Sequence, residues 1–351
     1  MKVKRRALKA GFVLAEDVYV GTGQPIMRKE TKLTDGHLRV LEAFLVEDVL
    51  VDPGLSEDNR REGTSPASDS SSFVDQYLAT VDRYKQCFRK WQSGKKVDMH
   101  EVRKVLIPFL ENAAGHQKEV LALHHYNKQA DYLFHHVVAA GALSAFLAAK
   151  LDYSKGDWLQ IGLAVALSDC GMARVSLTFL KNKGKPTYRE KEEIRQHPVY
   201  SYQMLKDIPA LKEGVSLAVS QHHERENGSG YPLGIRGEQI HPYGKIVAVA
   251  DSFHAMTCER AYQSKRSPFQ VLEVMTKDQF GCFDMRVLQE LSRALVRFSA
   301  GTRVRLTDQR LGEIVFIPPK TPTQPLIRLD PDGELVSLAE HPELAIDTLL
   351  T

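Results

Sequence analysis

Histidines and aspartates that could bind metal recur through the middle of this sequence, at intervals too long for any single element. His136 stands in "DYLFHHVV", Asp169 in "ALSDCGM" and His197 at the head of "HPVYSYQML". His222 and His223 open "HHERENGSGYP", and Asp251 lies in "VAVADSFHAM". Taken singly, each has a plain structural reading. His136 is a packed or surface ring, His197 and Asp251 are helix caps, and the adjacent pair is a solvated helix end. Taken together they are imidazole and carboxylate ligands of the kind that suits iron, manganese, zinc or nickel. Neighbouring histidines on a helix diverge by roughly 100°, so the pair can grip one ion from two sides. A carboxylate can bridge two ions, and ions about 3.5–4 Å apart generate a hydroxide and stabilise an in-line displacement at phosphorus.

Such a set needs a rigid frame. From Phe73 to about Ala300 the apolar residues fall three or four apart, in "FVDQYLATVDRYKQCF", "HEVRKVLIPFLENA", "VVAAGALSAFLAAKL" and "WLQIGLAVALSDC", which predicts helices. His136 then sits at the start of an apolar helix and Asp169 at the end of another, the placement from which a bundle builds a metal site. Residues 1–52 read as a small α+β unit. Strand-like "FVLAEDVYV" and "EDVLVD" flank a helical "TDGHLRVLEAFL" capped by Thr34 or Asp35. Residues 53–72, rich in Ser, Pro and charge, read as a flexible linker. Residues 73–129 are a helical lead-in, 130–298 the core domain, and 299–351 a small β-rich unit that turns at Gly and at "PDG".

The chain's 351 residues suffice for two or three folding units, and 43% hydrophobic with 26% charged residues is ordinary for a globular protein. A net charge of +3 gives no case for nucleic acid, and the basic "MKVKRR" reads as a solvated N-terminus. No signal peptide is expected, since Glu16 and Asp17 break the first apolar run. The most apolar later segments, "SAFLAAKL" and "KIVAVADSF", fall short of a membrane span. Cys87, Cys170, Cys258 and Cys282 form no CxxC pair, which fits reduced thiols and a cytoplasmic location.

The order His136, "SD" at 168–169, "HP" at 197–198, "HHERENGSGYP" and "ADSFHAMTCERAY" at 250–262 resembles an HD-GYP domain, a branch of the HD metal-dependent phosphohydrolases. The resemblance implies a mainly α, helical-bundle fold and hydrolysis of the bacterial second messenger cyclic di-GMP or a related dinucleotide. It implies one or two divalent transition-metal ions, iron or manganese first, zinc or nickel as alternatives. His136 and Asp251 would hold one ion, His197, His222 and His223 the other, and Asp169 would bridge them as the catalytic carboxylate. Arg260 would contact substrate phosphate, and Gly230, Tyr231 and Pro232 would form the substrate rim. The GYP surface is associated with GGDEF-type cyclases as partners.

Four positions depart from the family pattern. The histidine of the HD pair is Ser168, a lysine is Met172, a second aspartate is His254 and a basic residue is Gln263. Tyr132 stands where some members place a glutamate for a third ion, so no third ion is expected. Loss of even an outer contact to a metal ligand costs about 10–100-fold in affinity or activity, so Ser168 should weaken the first site at least that much. Three readings follow: a slower phosphodiesterase, a degenerate regulator that binds a dinucleotide or a partner protein without cleavage, and a purely structural interaction module that uses the GYP surface.

Overall fold

The computed structural model describes residues 2–19, 27–34, 37–38, 41, 46–51, 72–175, 187–209, 211–259, 266–299, 301–318, 321–341 and 343–350. They fall into two units, one of Met1–Ala79 with Leu350–Thr351 and one of Thr80–Leu349. In the first, β1 (Lys2–Lys4) pairs antiparallel with β2 (Asp48–Leu50), Val3 opposite Val49. Leu14, Leu33, Leu41 and Val51 are buried there. The stretch expected as a strand around "FVLAEDVYV" makes only isolated bridges, from Val13 to Lys32, Leu14 to Val51 and Val18 to Met27. The ladder breaks where a side chain replaces a backbone acceptor: Asp17 Oδ1 takes the Lys29 N–H at 2.6 Å. Of the expected N-terminal helix, residues 37, 38 and 41 are helical and Thr34 Oγ1 accepts the His37 N–H at 3.3 Å, while the remaining positions from 35 to 45 lie outside the described residues. The expected linker also lies outside them except for Ser72, whose hydroxyl accepts the Asp75 N–H at 3.2 Å and so caps the next helix.

Helices α1 (Phe73–Gln92), α2 (Met99–Ala113) and α3 (Gln117–Ala122) lead to α4 (Tyr132–Lys150) and α5 (Lys155–Ser168). The four-residue connection between α4 and α5 makes them antiparallel neighbours. Both are apolar on nearly every face and buried accordingly. They cross at glycines: a Cβ on Gly141 would stand 3.1 Å from the Gly162 carbonyl oxygen, and one on Gly162 would stand 3.1 Å from the Gly141 oxygen. This close approach brings His136, near the start of α4, beside Asp169, which follows the last turn of α5. By length and composition alone the helical stretch Gln129–Lys150, with a mean hydropathy of 1.5, is long and apolar enough to cross a membrane. That corrects the expectation that every apolar segment falls short, but 78% of its window is buried in the bundle, so its apolarity belongs to the core.

Around this pair lie α6 (Tyr188–Ile194), α7 (His197–Leu205), α8 (Glu213–Gln221) and α9 (Pro242–Thr257). Proline stands in the first turn of α7 and of α9, where its missing N–H costs nothing. Then follow α10 (Pro268–Glu273) and α11 (Met285–Ser299). Strands β3 (Arg303–Leu306), β4 (Leu311–Phe316), β5 (Leu326–Leu329), β6 (Leu335–Ser337) and β7 (Ile346–Leu350) form one sheet of order β6-β5-β4-β3-β7. Val304, Leu306, Ile314, Ile327 and Leu329 point to one face and bury with Phe269 of α10, so the sheet shares a core with the helices. The chain is thus mainly α, with a small α+β N-terminal unit and a small C-terminal sheet.

Candidate metal centre

Six side chains from five places in the chain converge in two groups. His136, Asp169 and Asp251 form one, His197, His222 and His223 the other, and within each the ligand atoms all lie within 4.8 Å of one another. His136 Nε2 is 2.8 Å from Asp251 Oδ1 and 3.9 Å from Asp169 Oδ2, while Asp169 Oδ1 is 3.2 Å from His197 Nε2. Asp169 therefore turns one oxygen towards each group. Asp251 lies in the interior of α9, which overturns its reading as a helix cap. His197 is no cap either, because Gln196 holds that position, and His222 is buried, so the pair is no solvated helix end.

The ring nitrogens of the second group carry the chemistry. His197 Nδ1 is 2.6 Å from the Ile194 carbonyl oxygen and His222 Nδ1 is 2.8 Å from that of Val219. A carbonyl oxygen can only accept, so both Nδ1 atoms are protonated and donate. In the neutral rings both Nε2 atoms then carry bare lone pairs, and these face each other at 3.0 Å. Two acceptors at that distance repel unless a proton or a cation lies between them. Protonation is opposed: burial pushes His197 down to about 4, and burial with the neighbouring His197 does the same to His222. His223 also lies well below the ordinary histidine range, first through burial and then through His222. Burial would raise Asp251, but its hydrogen bond to His136 and the surrounding histidines hold it well below the usual carboxylate range. Neutral imidazoles beside an ionised Asp251 are the protonation states a divalent cation needs. The donor set fits a metal.

Each of these residues is held from outside. His136 stacks on Tyr132, with ring centroids 5.3 Å apart, and its Nδ1 lies 3.0 Å from His254 Nδ1. His254 thus sits on the ring edge turned away from Asp251, where it orients His136 and supplies no replacement ligand. Ser168 donates to the Ala164 carbonyl at 2.8 Å, back along α5 and away from any ion. Ser201 donates to the Ser168 carbonyl at 2.6 Å and accepts the Gly171 N–H at 2.8 Å, clamping both sides of Asp169. A Cβ at Gly171 would stand 2.3 Å from the His197 carbonyl oxygen, so only glycine lets this turn close on α7. Met172 is buried, and burial pushes the Cys170 thiol up to about 12, which leaves it unsuited to ligation at neutral pH.

The stretch after the histidine pair folds back on it. Tyr231 N–H bonds the His223 carbonyl at 3.1 Å and its ring stacks on the His223 ring at 4.6 Å. A Cβ on Gly230 would stand 2.4 Å from Glu224 Cα, so only glycine allows this return. Buried Glu224 accepts the N–H groups of Leu233 and Gly234 at 2.6 and 3.2 Å, tying the turn beyond Pro232 to the histidines. Arg225 holds the other side, donating to the carbonyls of His222 and Glu224 and to Ser252 Oγ. Sequence reasoning missed the roles of Ser201, Glu224 and Arg225. A charged pair immediately after two histidines was a signal for the last two, but Ser201 carried none. Arg260 and Gln263 lie outside the described residues.

A bundle of buried helices thus gathers two groups of histidine and aspartate side chains that could each hold a metal ion, with a Gly-Tyr-Pro turn folded onto His223. A family model described as "HD domain" matches residues 112–287. The chain belongs to this HD domain family and, by its motif order and its relatives, is an HD-GYP protein. It is 29% identical over 228 residues to a cyclic di-GMP phosphodiesterase of Pseudomonas aeruginosa, covering 65% of this chain and 55% of the relative. It is 35% identical to a cyclic di-GMP phosphodiesterase of Thermotoga maritima, covering 37% of this chain and 36% of that one. A 3'3'-cGAMP-specific phosphodiesterase of Vibrio cholerae is 28% identical, covering 47% of this chain and 35% of its own. The chain thus spans from about a third to about half the length of these relatives. An HDG"Y"P protein of Bdellovibrio bacteriovorus shares the fold, with a TM-score of 0.51 at 14% identity over 84% of this chain and 99% of that one.

Proposed function

We propose that this chain is a metal-dependent phosphodiesterase acting on cyclic di-GMP. The observation that carries the reading is the bare Nε2 pair of His197 and His222, which calls for a cation. His197, His222, His223 and Asp169 would hold one divalent ion, and His136, Asp251 and Asp169 a second. Iron or manganese are the expected metals, with zinc or nickel as alternatives. When bound, divalent ions supply charge neutralisation at a phosphodiester and a more acidic water. The chain's own residues do the rest: Asp169 turns an oxygen to each group, and the turn at 230–232 forms the rim over His223. Arg260, by the family resemblance, contacts substrate phosphate.

A second reading has its own support. Ser168 bonds to its own helix and Met172 is a buried apolar side chain, so the first group keeps one nitrogen ligand and position 172 carries no cation. On that reading the chain binds a cyclic dinucleotide and regulates without cleaving it.

Elemental analysis of protein purified without chelators, paired with turnover of cyclic di-GMP and 3'3'-cGAMP, tests both. At least one transition-metal ion per chain is expected, with much of it lost in His222→Ala, and Asp169→Asn should abolish cleavage. Absence of metal overturns both readings. Metal and nucleotide binding without turnover establishes the second.

A further inference from the structure

Arg195 stands two residues ahead of His197, in the connection between α6 and α7, and no motif marks it. Its guanidinium carbon lies 4.5 Å from the centroid of the Tyr231 ring, the same ring that stacks on His223 at 4.6 Å. The two spacings bring the guanidinium within about 9 Å of the His223 ring. The side chain is 47% exposed, and its ion pair with Glu192, itself 48% exposed, is 4.0 Å long. A pair of that length between solvated groups contributes little, so the cation is left largely uncompensated. The guanidinium stands over the tyrosine ring, and about half of the side chain faces solvent. Arginine laid on an aromatic ring is held in place without using its donors, which remain free for an anion.

A cyclic dinucleotide carries two phosphodiesters on opposite sides of its sugar-phosphate ring. If one lies over the two His/Asp groups, the other must lie outward, towards the rim. We propose that Arg195 grips this second phosphodiester, with Tyr231 as the platform that aims it. The assignment rests on the phosphodiesterase reading, although it needs only binding and not cleavage. It gives the turn's tyrosine a task its hydroxyl does not perform, since stacking and not hydrogen bonding fixes the cation.

The test uses the whole chain, metal-loaded, and calorimetric binding of cyclic di-GMP, with metal per chain measured alongside. Arg195→Ala should raise the Kd tenfold or more while metal per chain stays at the wild-type value, as expected for loss of a charge-assisted fork to phosphate. Arg195→Lys, which keeps the charge, should recover part of the loss, and Arg195→Gln should recover none. The Tyr231→Ala variant should lose affinity too, and adding it to Arg195→Ala should cost less than the two losses combined, because the platform has nothing left to hold. If the wild type binds and Arg195→Ala binds equally well, the Arg195 assignment falls and the phosphodiesterase reading stands. If Gln rescues better than Lys, the contact is a neutral hydrogen bond to a base and the phosphate assignment is overturned. If the metal-loaded wild type binds no cyclic dinucleotide, both readings fall together.

Discussion

At the scale of single residues, the chemistry turns on which ring nitrogens carry hydrogen. The Nδ1 bonds to Ile194 and Val219 decide this for His197 and His222, whereas His136 gives its Nε2 hydrogen to the Asp251 carboxylate in the metal-free chain and meets His254, which can donate or accept, at Nδ1. If His136 binds through Nε2, its Nδ1 must donate and His254 Nδ1 must accept. A neutral imidazole accepts less strongly than the carboxylate that commonly partners a metal-bound histidine. His254→Asp should therefore tighten metal binding by about tenfold, and His254→Phe should weaken it by a similar factor, both read by chelator competition. Ser168→His adds a nitrogen at the position from which Ser168 now turns away. It should raise metal per chain and speed cyclic di-GMP cleavage about tenfold or more, a gain abolished by Asp169→Ala. The identities of the six converging side chains were legible from their order in the sequence. The edge of His136 that His254 would meet was not, because a spacing of three on α9 gives a face and no depth.

Elements set these residues in place through close backbone contacts, and there the sequence was only partly legible. Periodicity marks α4 and α5 as helices but cannot say that Gly141 and Gly162 meet. Gly162→Ala would place a Cβ 3.1 Å from the Gly141 oxygen and 2.9 Å from Leu110 Cδ1. The backbone oxygen cannot yield, so overpacking of about 1–3 kcal/mol should exceed the helix-propensity gain of about 1 kcal/mol and destabilise the fold in urea titration. Gly156→Ala, in the first turn of the same helix, meets nothing closer than Ser154 Oγ at 3.8 Å and should be neutral or stabilising. The strand expected near residue 18 was misread for a related reason. Apolar alternation is visible in sequence, whereas the capture of the Lys29 amide by Asp17 is a tertiary event.

For the molecule as a whole, burial of the centre links stability to pH. His197 and His222 titrate near 4 in the folded chain, against an ordinary value near 6.5 when unfolded. As pH falls below 6.5 the unfolded chain takes up protons the folded one refuses, so this contribution is full above 6.5 and is lost on the way down to 4. Asp251, held low by its histidine neighbours, adds a further loss only below the ordinary carboxylate range near 4. The melting temperature of metal-free protein should therefore fall steadily from pH 6.5 to 4, and a profile flat over that interval would contradict the burial described. Phe269 marks another whole-molecule property, since the C-terminal sheet packs its inner face against it. Phe269→Ala should cost about 3–5 kcal/mol in chemical denaturation. The sheet was legible from alternation and turns, but its shared core with α10 was not, because no local pattern encodes which helix a sheet will cover.

The fold-back at Gly230, with Glu224 fastening Leu233 and Gly234, also governs how inherited changes in this region combine. Histidines and rim are one mechanical piece, so a lineage that has already lost Glu224 or Gly230 gains little from keeping Tyr231, and one that has lost His223 has removed the ring on which Tyr231 rests. Damage in residues 222–234 should therefore be strongly epistatic, with the first loss releasing the rest from selection. Decay of the centre in related chains should then run through the whole stretch at once.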